Sequence, residues 1–216
     1  MRPNKKTIAI LDYGLGNLRS ISNAFKKLGV DVLVTSNPTE VMASNGLIFP
    51  GVGAFGAACN ELIKLNLFSL LKEYINSRKP VLGICLGMQL LFTDSEENGY
   101  HIGLDVIKGS VKKLAVTFPP YKLPHIGWNR INVYSDNRKK FDESIIKHLE
   151  QEHQYFIHSY YVQCDESEHV LATCDYGDNS FVCAVKKNNV VGVQFHPEKS
   201  GEAGLKVLKE FVEYIE

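Results

Sequence analysis

The stretch from Pro80 to Phe92 constrains this chain more than any other. Apolar Pro80-Val81-Leu82 runs directly into Gly83-Ile84-Cys85-Leu86-Gly87, and Met88-Gln89-Leu90-Leu91-Phe92 follows at once. The pattern predicts a buried strand, a glycine-flanked bend and a helix, with a cysteine at the bend. Glycines are needed there because a strand-to-helix elbow crowds any neighbouring Cβ. The thiol is then presented at the positive end of a helix, where unpaired N–H groups favour negative charge. A cysteine that merely packs has no need of such a setting.

The surrounding pattern extends the same architecture. Strands are predicted at Thr7 to Leu11, Asp31 to Val34, Gly46 to Phe49 and Val81 to Ile84. Helices alternate with them near Asn17 to Leu28 and, as two stretches, between Phe55 and Ser77. This alternation implies parallel pairing with helices on both faces. The second half reads as β segments at Ser110 to Leu114, Arg130 to Tyr134, Tyr155 to Gln163, Val170 to Cys174, Phe181 to Lys186 and Val190 to Phe195. Leu205 to Ile215 closes the chain as an amphipathic helix with Leu205, Leu208, Val212 and Ile215 in one stripe. Proline-broken Ala115 to Lys122 reads as loop. With no repeat or linker, residues 1–216 are expected to form one domain, α/β in class, on a mostly parallel sheet.

A nucleophile needs a base, and Val190 to Phe195 leads straight into His196-Pro197-Glu198. Proline ends the strand and keeps His196 extended. If the segment stays extended through Glu198, both side chains point to one side. A carboxylate beside an imidazole selects its tautomer and stabilises the imidazolium, so Cys85, His196 and Glu198 form a candidate triad.

These residues carry a family resemblance. Gly83-Ile84-Cys85-Leu86-Gly87-Met88-Gln89 and Gln194-Phe195-His196-Pro197-Glu198 resemble the motifs of class I, triad-type glutamine amidotransferases. Asp12 to Asn17, Pro124 to Asn129, Tyr155 to Tyr160 and the extension to Lys199-Ser200 are similar to the glutaminase subunits of imidazole glycerol phosphate synthases. The resemblance spans essentially the whole chain and implies a flavodoxin-like fold. It implies glutamine hydrolysis through a Cys85 thioester, with His196 as proton carrier, Glu198 orienting it, and no cofactor or metal. By the same resemblance, Val52, Gly53 and Leu86 supply the oxyanion site. Gln89, Glu97, Ser159 and Tyr160 hold the amino and carboxylate groups of L-glutamine. Asn17, Trp128 and Lys199 face a (β/α)8-barrel cyclase in a heterodimer that uses the ammonia in histidine biosynthesis. No synthase segment follows the closing helix, so the ammonia acceptor is expected on another polypeptide.

Gly51-Val52-Gly53-Ala54-Phe55-Gly56 also fits the dinucleotide pattern G-x-G-x-x-G. The acidic residue such a site wants at a strand end would be Glu73, which lies in a helical pattern, so an NAD site is not expected; the family resemblance implies instead that Pro50-Gly51-Val52-Gly53 is the oxyanion loop. With 24 basic and 24 acidic residues, the chain shows no electrostatic footprint for nucleic acid or an anionic membrane. Five scattered cysteines without CxxC pairs oppose a disulfide framework or zinc site. Cys59, Cys164, Cys174 and Cys183 read as packing residues. Met1 to Lys6 leads into a strand with no apolar signal core, and no stretch reaches membrane-span length, so a cytoplasmic enzyme is expected. Two other readings stay open: a paralogous glutaminase feeding a related synthase, for example for surface-sugar amidination, and a catalytically silent binding subunit. The intact triad opposes the last.

Overall fold

The computed structural model describes residues 6–117 and 121–215. In chain order the strands are β1 (Ile8–Leu11), β2 (Val32–Thr35), β3 (Gly46–Gly51), β4 (Val81–Cys85), β5 (Phe92–Ser95), β6 (His101–Ile102) and β7 (Ile107–Lys113). They continue with β8 (His125–Arg130), β9 (Asn132–Val133), β10 (His153–His158), β11 (Tyr160–Cys164), β12 (Val170–Tyr176), β13 (Asn179–Lys187) and β14 (Val190–Val193). The helices are α1 (Leu18–Lys27), α2 (Pro38–Ala43), α3 (Phe55–Lys64), α4 (Leu67–Asn76), α5 (Leu86–Gln89), α6 (Arg138–Asp142) and α7 (Gly201–Ile215).

One mixed sheet runs in the order β2-β1-β3-β4-β14-β13-β11-β7-β5-β6, with β12 joined at β13 and β9 paired to β12. Its first five strands are parallel, and the direction reverses between β14 and β13. Alternation along β1 sends Ile8 and Ile10 to one core and Ala9 and Leu11 to another. The first core is closed by Phe25 of α1 and Val207, Leu208 and Phe211 of α7; the second by α3 and α4 through Leu62 and Leu71. Helices therefore cover both faces, as the strand–helix alternation requires. On α7 the buried line centres on Val207, Leu208 and Phe211, so the predicted stripe is rotated; Leu205, Val212 and Ile215 flank it.

β8 and β10 form a separate antiparallel ribbon outside the main sheet. Tyr155 to Gln163 is therefore not one strand. It breaks at Ser159, whose carbonyl accepts from Leu114 N at 2.9 Å, and resumes as β11 paired with β7 and β13. Arg130 to Tyr134 is likewise divided, with Arg130 ending β8 and only Asn132–Val133 forming β9. The described flanks of the 115–122 segment carry no helix or strand, and residues 118–120 lie outside the described residues, as does most of the Met1 to Lys6 segment. Among the described residues no helix is long and apolar enough to cross a membrane.

Candidate active site

The elbow forms where β4 meets α5. Cys85 has φ 55° and ψ −111°, a backbone state that non-glycine residues rarely adopt and that costs about 1–3 kcal/mol. Close packing around it holds that state. A Cβ on Gly87 would stand 1.8 Å from the Phe49 carbonyl oxygen, and one on Gly83 would stand 3.1 Å from the Gly87 backbone. Helix α5 is a single turn, shorter than the pattern from Met88 to Phe92 predicts. The carbonyls of Leu90 and Leu91 accept from Leu104 N at 2.8 Å and Val106 N at 2.9 Å, so tertiary bonds replace further helical ones.

His196 follows the end of β14. The segment after it is not extended: Pro197–Lys199 makes one 3-10 turn, closed by Ser200 Oγ, which donates to the His196 carbonyl at 2.7 Å. Tyr155 N donates to the same hydroxyl at 2.9 Å, fastening the turn to β10. The turn still brings His196 and Glu198 together, with Nδ1 2.8 Å from Oε1 and the two side chains 3% and 0% exposed. His196 Nε2, turned away from Glu198, has no hydrogen-bond partner. Burial opposes charge on the ring, but the nearby Cys85 charge and the bonded Glu198 carboxylate outweigh it and raise the imidazole to about 10. The site is therefore set for an imidazolium facing sulfur.

Because this pKa is raised from 6.5, the group's contribution to stability is full below about pH 6.5 and is lost as pH climbs through about 10. Thermal midpoints measured from pH 6 to 10 should show that decline. In Cys85→Ala, which removes the largest raising influence, the decline should still start near pH 6.5 but be smaller and end at lower pH. Identical profiles for the two proteins would remove Cys85 as the partner.

A cavity of about 300 Å³ opens on these groups. Val52, Gly53, Leu86, Gln89, Glu97, Ser159, Tyr160 and Lys199 all line it beside Cys85 and His196. Glu198 and Asn17 lie behind it, in a small space shared with His196 and Val52. Trp128 stands outside, half exposed. The glycine loop leaves β3 at Gly51, held by Tyr13, whose hydroxyl donates to the Pro50 carbonyl at 2.9 Å. Burial, then the Cys85 charge, holds the Tyr13 phenol far above its usual value, so it stays a donor. Gly53 has φ 101°, a left-handed state suited to glycine. Glu97 Oε2 accepts from Phe55 N at 2.7 Å at the start of α3. A carboxylate thus occupies the helix end where the G-x-G-x-x-G pattern would seat a pyrophosphate.

Gln194, part of the motif before His196, has a role that the sequence pattern alone does not assign. It is fully buried, donates through Nε2 to Cys85 Sγ at 3.6 Å and accepts from Gln89 Nε2 at 3.0 Å. An amide in an otherwise apolar strand next to the His-Pro-Glu motif was the available signal. His158 and Ile157 also line the cavity. The other thiols are poor nucleophiles: burial pushes Cys59 up to about 11 and Cys174 to about 12, and lifts Cys164 and Cys183 as well. Among the described residues all five cysteines are free, and no cluster could hold a metal ion.

A strained cysteine at a strand–helix elbow, an imidazole and carboxylate behind it, and an adjoining glycine loop make a site for attacking an acyl carbon. The profile of the family described as glutamine amidotransferase class-I matches residues 9–214. The chain belongs to that family. A curated relative from Methanothermobacter thermautotrophicus, imidazole glycerol phosphate synthase subunit HisH, is 47% identical over 209 residues, covering 96% of this chain and 98% of the relative. The chloroplastic imidazole glycerol phosphate synthase hisHF of Arabidopsis thaliana is 44% identical over 207 residues, covering 95% of this chain but 34% of that longer protein. Among solved structures, one described as a glutamine amidotransferase superposes with a TM-score of 0.72 at 18% identity, covering 96% of this chain and 98% of that one, a likeness of fold.

Proposed function

We propose that the chain is the glutaminase subunit of imidazole glycerol phosphate synthase, hydrolysing L-glutamine and passing the ammonia to a (β/α)8-barrel cyclase. The observation that carries this is the Cys85–His196–Glu198 arrangement opening on a cavity lined by Gln89, Glu97, Ser159 and Tyr160. The HisH names of relatives such as the one from Methanothermobacter thermautotrophicus, 47% identical, supply the pathway.

In this reading Cys85 attacks the side-chain amide carbon, and N–H groups of Leu86 and the Val52–Gly53 loop receive the oxyanion. His196 passes its proton to the departing nitrogen, and ammonia leaves. His196 then takes a proton from water, which attacks the γ-glutamyl thioester and releases glutamate and the thiolate. Glu198 holds Nδ1 throughout. The Glu97 oxygen not engaged by Phe55 N is the partner for the substrate ammonium.

The cyclase is assigned to the outer face of the β8–β10 ribbon. Ile126 pairs with Ile157 and Trp128 with Tyr155, so strand alternation places these four on one face. Ile126 is 55% exposed, Trp128 52% and Ile157 37%, an apolar patch at the mouth of the cavity. Lys199 Nζ lies 5.5 Å from the Tyr155 ring centroid, at the edge of the same patch. Trp128→Ala should weaken the heterodimer by about 2 kcal/mol, roughly thirtyfold in Kd, in a titration with the cyclase. Affinity within twofold of wild type would move the interface elsewhere.

The deciding experiment measures glutamate release with and without the cyclase and its nucleotide ligand. Strong stimulation is expected. Activity indifferent to the cyclase would keep the Cys85 chemistry but assign the chain to a paralogous synthase; no glutamate under any condition would favour a silent binding subunit.

A further inference from the structure

A chain of hydrogen bonds runs from strand β8 to the thiol. Asn129 Nδ2 donates to the Asp175 carbonyl at 3.0 Å, and Asn129 Oδ1 lies 2.8 Å from His125 Nε2. His125 Nδ1 is 3.1 Å from His158 Nε2, and His158 Nδ1 is 2.9 Å from the Tyr160 carbonyl. That carbonyl also accepts from Gln89 Nε2, which reaches Gln194, and Gln194 reaches Cys85 Sγ. We propose that His125 and His158 are positioning residues for Cys85, acting through the Tyr160 carbonyl, Gln89 and Gln194. The kinetic part of this proposal rests on the glutaminase reading above.

Counting hydrogens fixes the tautomers. A carbonyl only accepts, so His158 carries its hydrogen on Nδ1 and Asn129 turns its NH₂ toward Asp175. Asn129 Oδ1 then takes the hydrogen on His125 Nε2. Neutral Asn129, His125 and His158 thus supply one hydrogen each, three in all, for four contacts. The longest contact, between the two imidazoles, is the one left open. The pair is buried: His125 stacks on Tyr176 of β12 at 3.9 Å and on Phe156 of β10 at 5.1 Å, and His158 meets the Phe181 ring of β13 edge-on at 4.9 Å. Tyr176 faces His125 and the His196 charge acts on His158, while Cys85, Glu97, Tyr160 and Lys199 line the same cavity as His158. Burial lowers both imidazoles, His158 to about 3, where the His125 and His196 charges add to burial. Both rings are therefore neutral near pH 7. On acidification they take up one proton between them, because a single hydrogen closes the open contact and its charge repels a second.

The test uses the full chain assembled with the cyclase. His158→Phe and His125→Phe keep a ring in each place and remove the nitrogens. Both should lower kcat for glutamate release, His158→Phe by about tenfold and His125→Phe by less, with KM for glutamine within about threefold. The rate of Cys85 alkylation by iodoacetamide in the isolated chain should change severalfold, and its pH profile should move. His125→Gln, which keeps a donor and an acceptor, should recover most of the loss. Folded variants with wild-type kcat and alkylation profiles would overturn the proposal. Should either phenylalanine variant fail to fold, ring-nitrogen NMR of the wild type decides. The proposal requires the Nδ1–H tautomer of His158 at pH 7 and one proton shared by the two rings on acidification; the opposite tautomer, or two independent protonations, would end it. A wild-type complex with no Cys85-dependent glutamate release would sink the glutaminase reading, while the alkylation and NMR results would still judge the pair.

Discussion

Cys85→Ala is expected to lower glutamate release by on the order of 10⁶-fold while leaving a folded chain, because every other group in the site acts on or through the sulfur. The four remaining thiols are buried or partly buried, with pKa values raised by burial, and none lines the cavity, so no second thiol can take over. A residual rate within a hundredfold of wild type would refute the thioester route. The same position stores backbone strain. At φ 55° and ψ −111° a Cβ is disfavoured, so Cys85→Gly should unfold at higher urea than Cys85→Ala, by about 1 kcal/mol, although both are inactive. Equal stabilities would mean that the elbow is relaxed.

Gly87→Ala should be the most damaging single methyl in the molecule. Its Cβ would lie 1.8 Å from the Phe49 carbonyl oxygen, which belongs to strand β3 and cannot swing aside as a side chain can. Either β3 moves away from β4 or the elbow rotates, and both displace Cys85 from His196. A loss of about 3 kcal/mol in urea unfolding is expected, together with a fall in kcat of at least a hundredfold. Gly29→Ala is the control. Gly29 has φ +74° with nothing within 4 Å, so it should lose about 1 kcal/mol and no activity. If Gly87→Ala behaves like the control, the close approach of β3 to the elbow is not needed.

What could be read from the chain was whatever local chemistry dictates. Gly83 and Gly87 marked the elbow because no other residue fits there, and Pro197 marked the strand end because it lacks an N–H. Alternation in the first half foretold the parallel layer, since those strands are buried on both faces. The losses have a common cause in tertiary bonding. Nothing between Tyr155 and Gln163 is a breaker, yet the chain changes sheets at Ser159 because Leu114 N captures its carbonyl. Leu90 and Leu91 are good helix formers, but their carbonyls are claimed by Leu104 and Val106. Glu198 reached His196 for a reason other than the extended offset: a 3-10 turn, locked by Ser200, sets the distance. Gln194 and His158 looked like ordinary members of β segments, because a hydrogen-bond partner far along the chain leaves no trace in a local pattern.

The break at Ser159 has a mechanical consequence. On one side of the cavity, Cys85 and Gln89 are anchored to the main sheet; on the other, Ile157 and His158 belong to the β8–β10 ribbon, which shares no ladder with it. The pocket is a seam between two bodies. Glutamine seated against both would stitch the seam, and a protein docked on Trp128 would press on one lip of it. Under the interface proposed above, a ligand in the cavity and a partner on the ribbon would touch the two lips of one seam, so each is expected to be felt at the other.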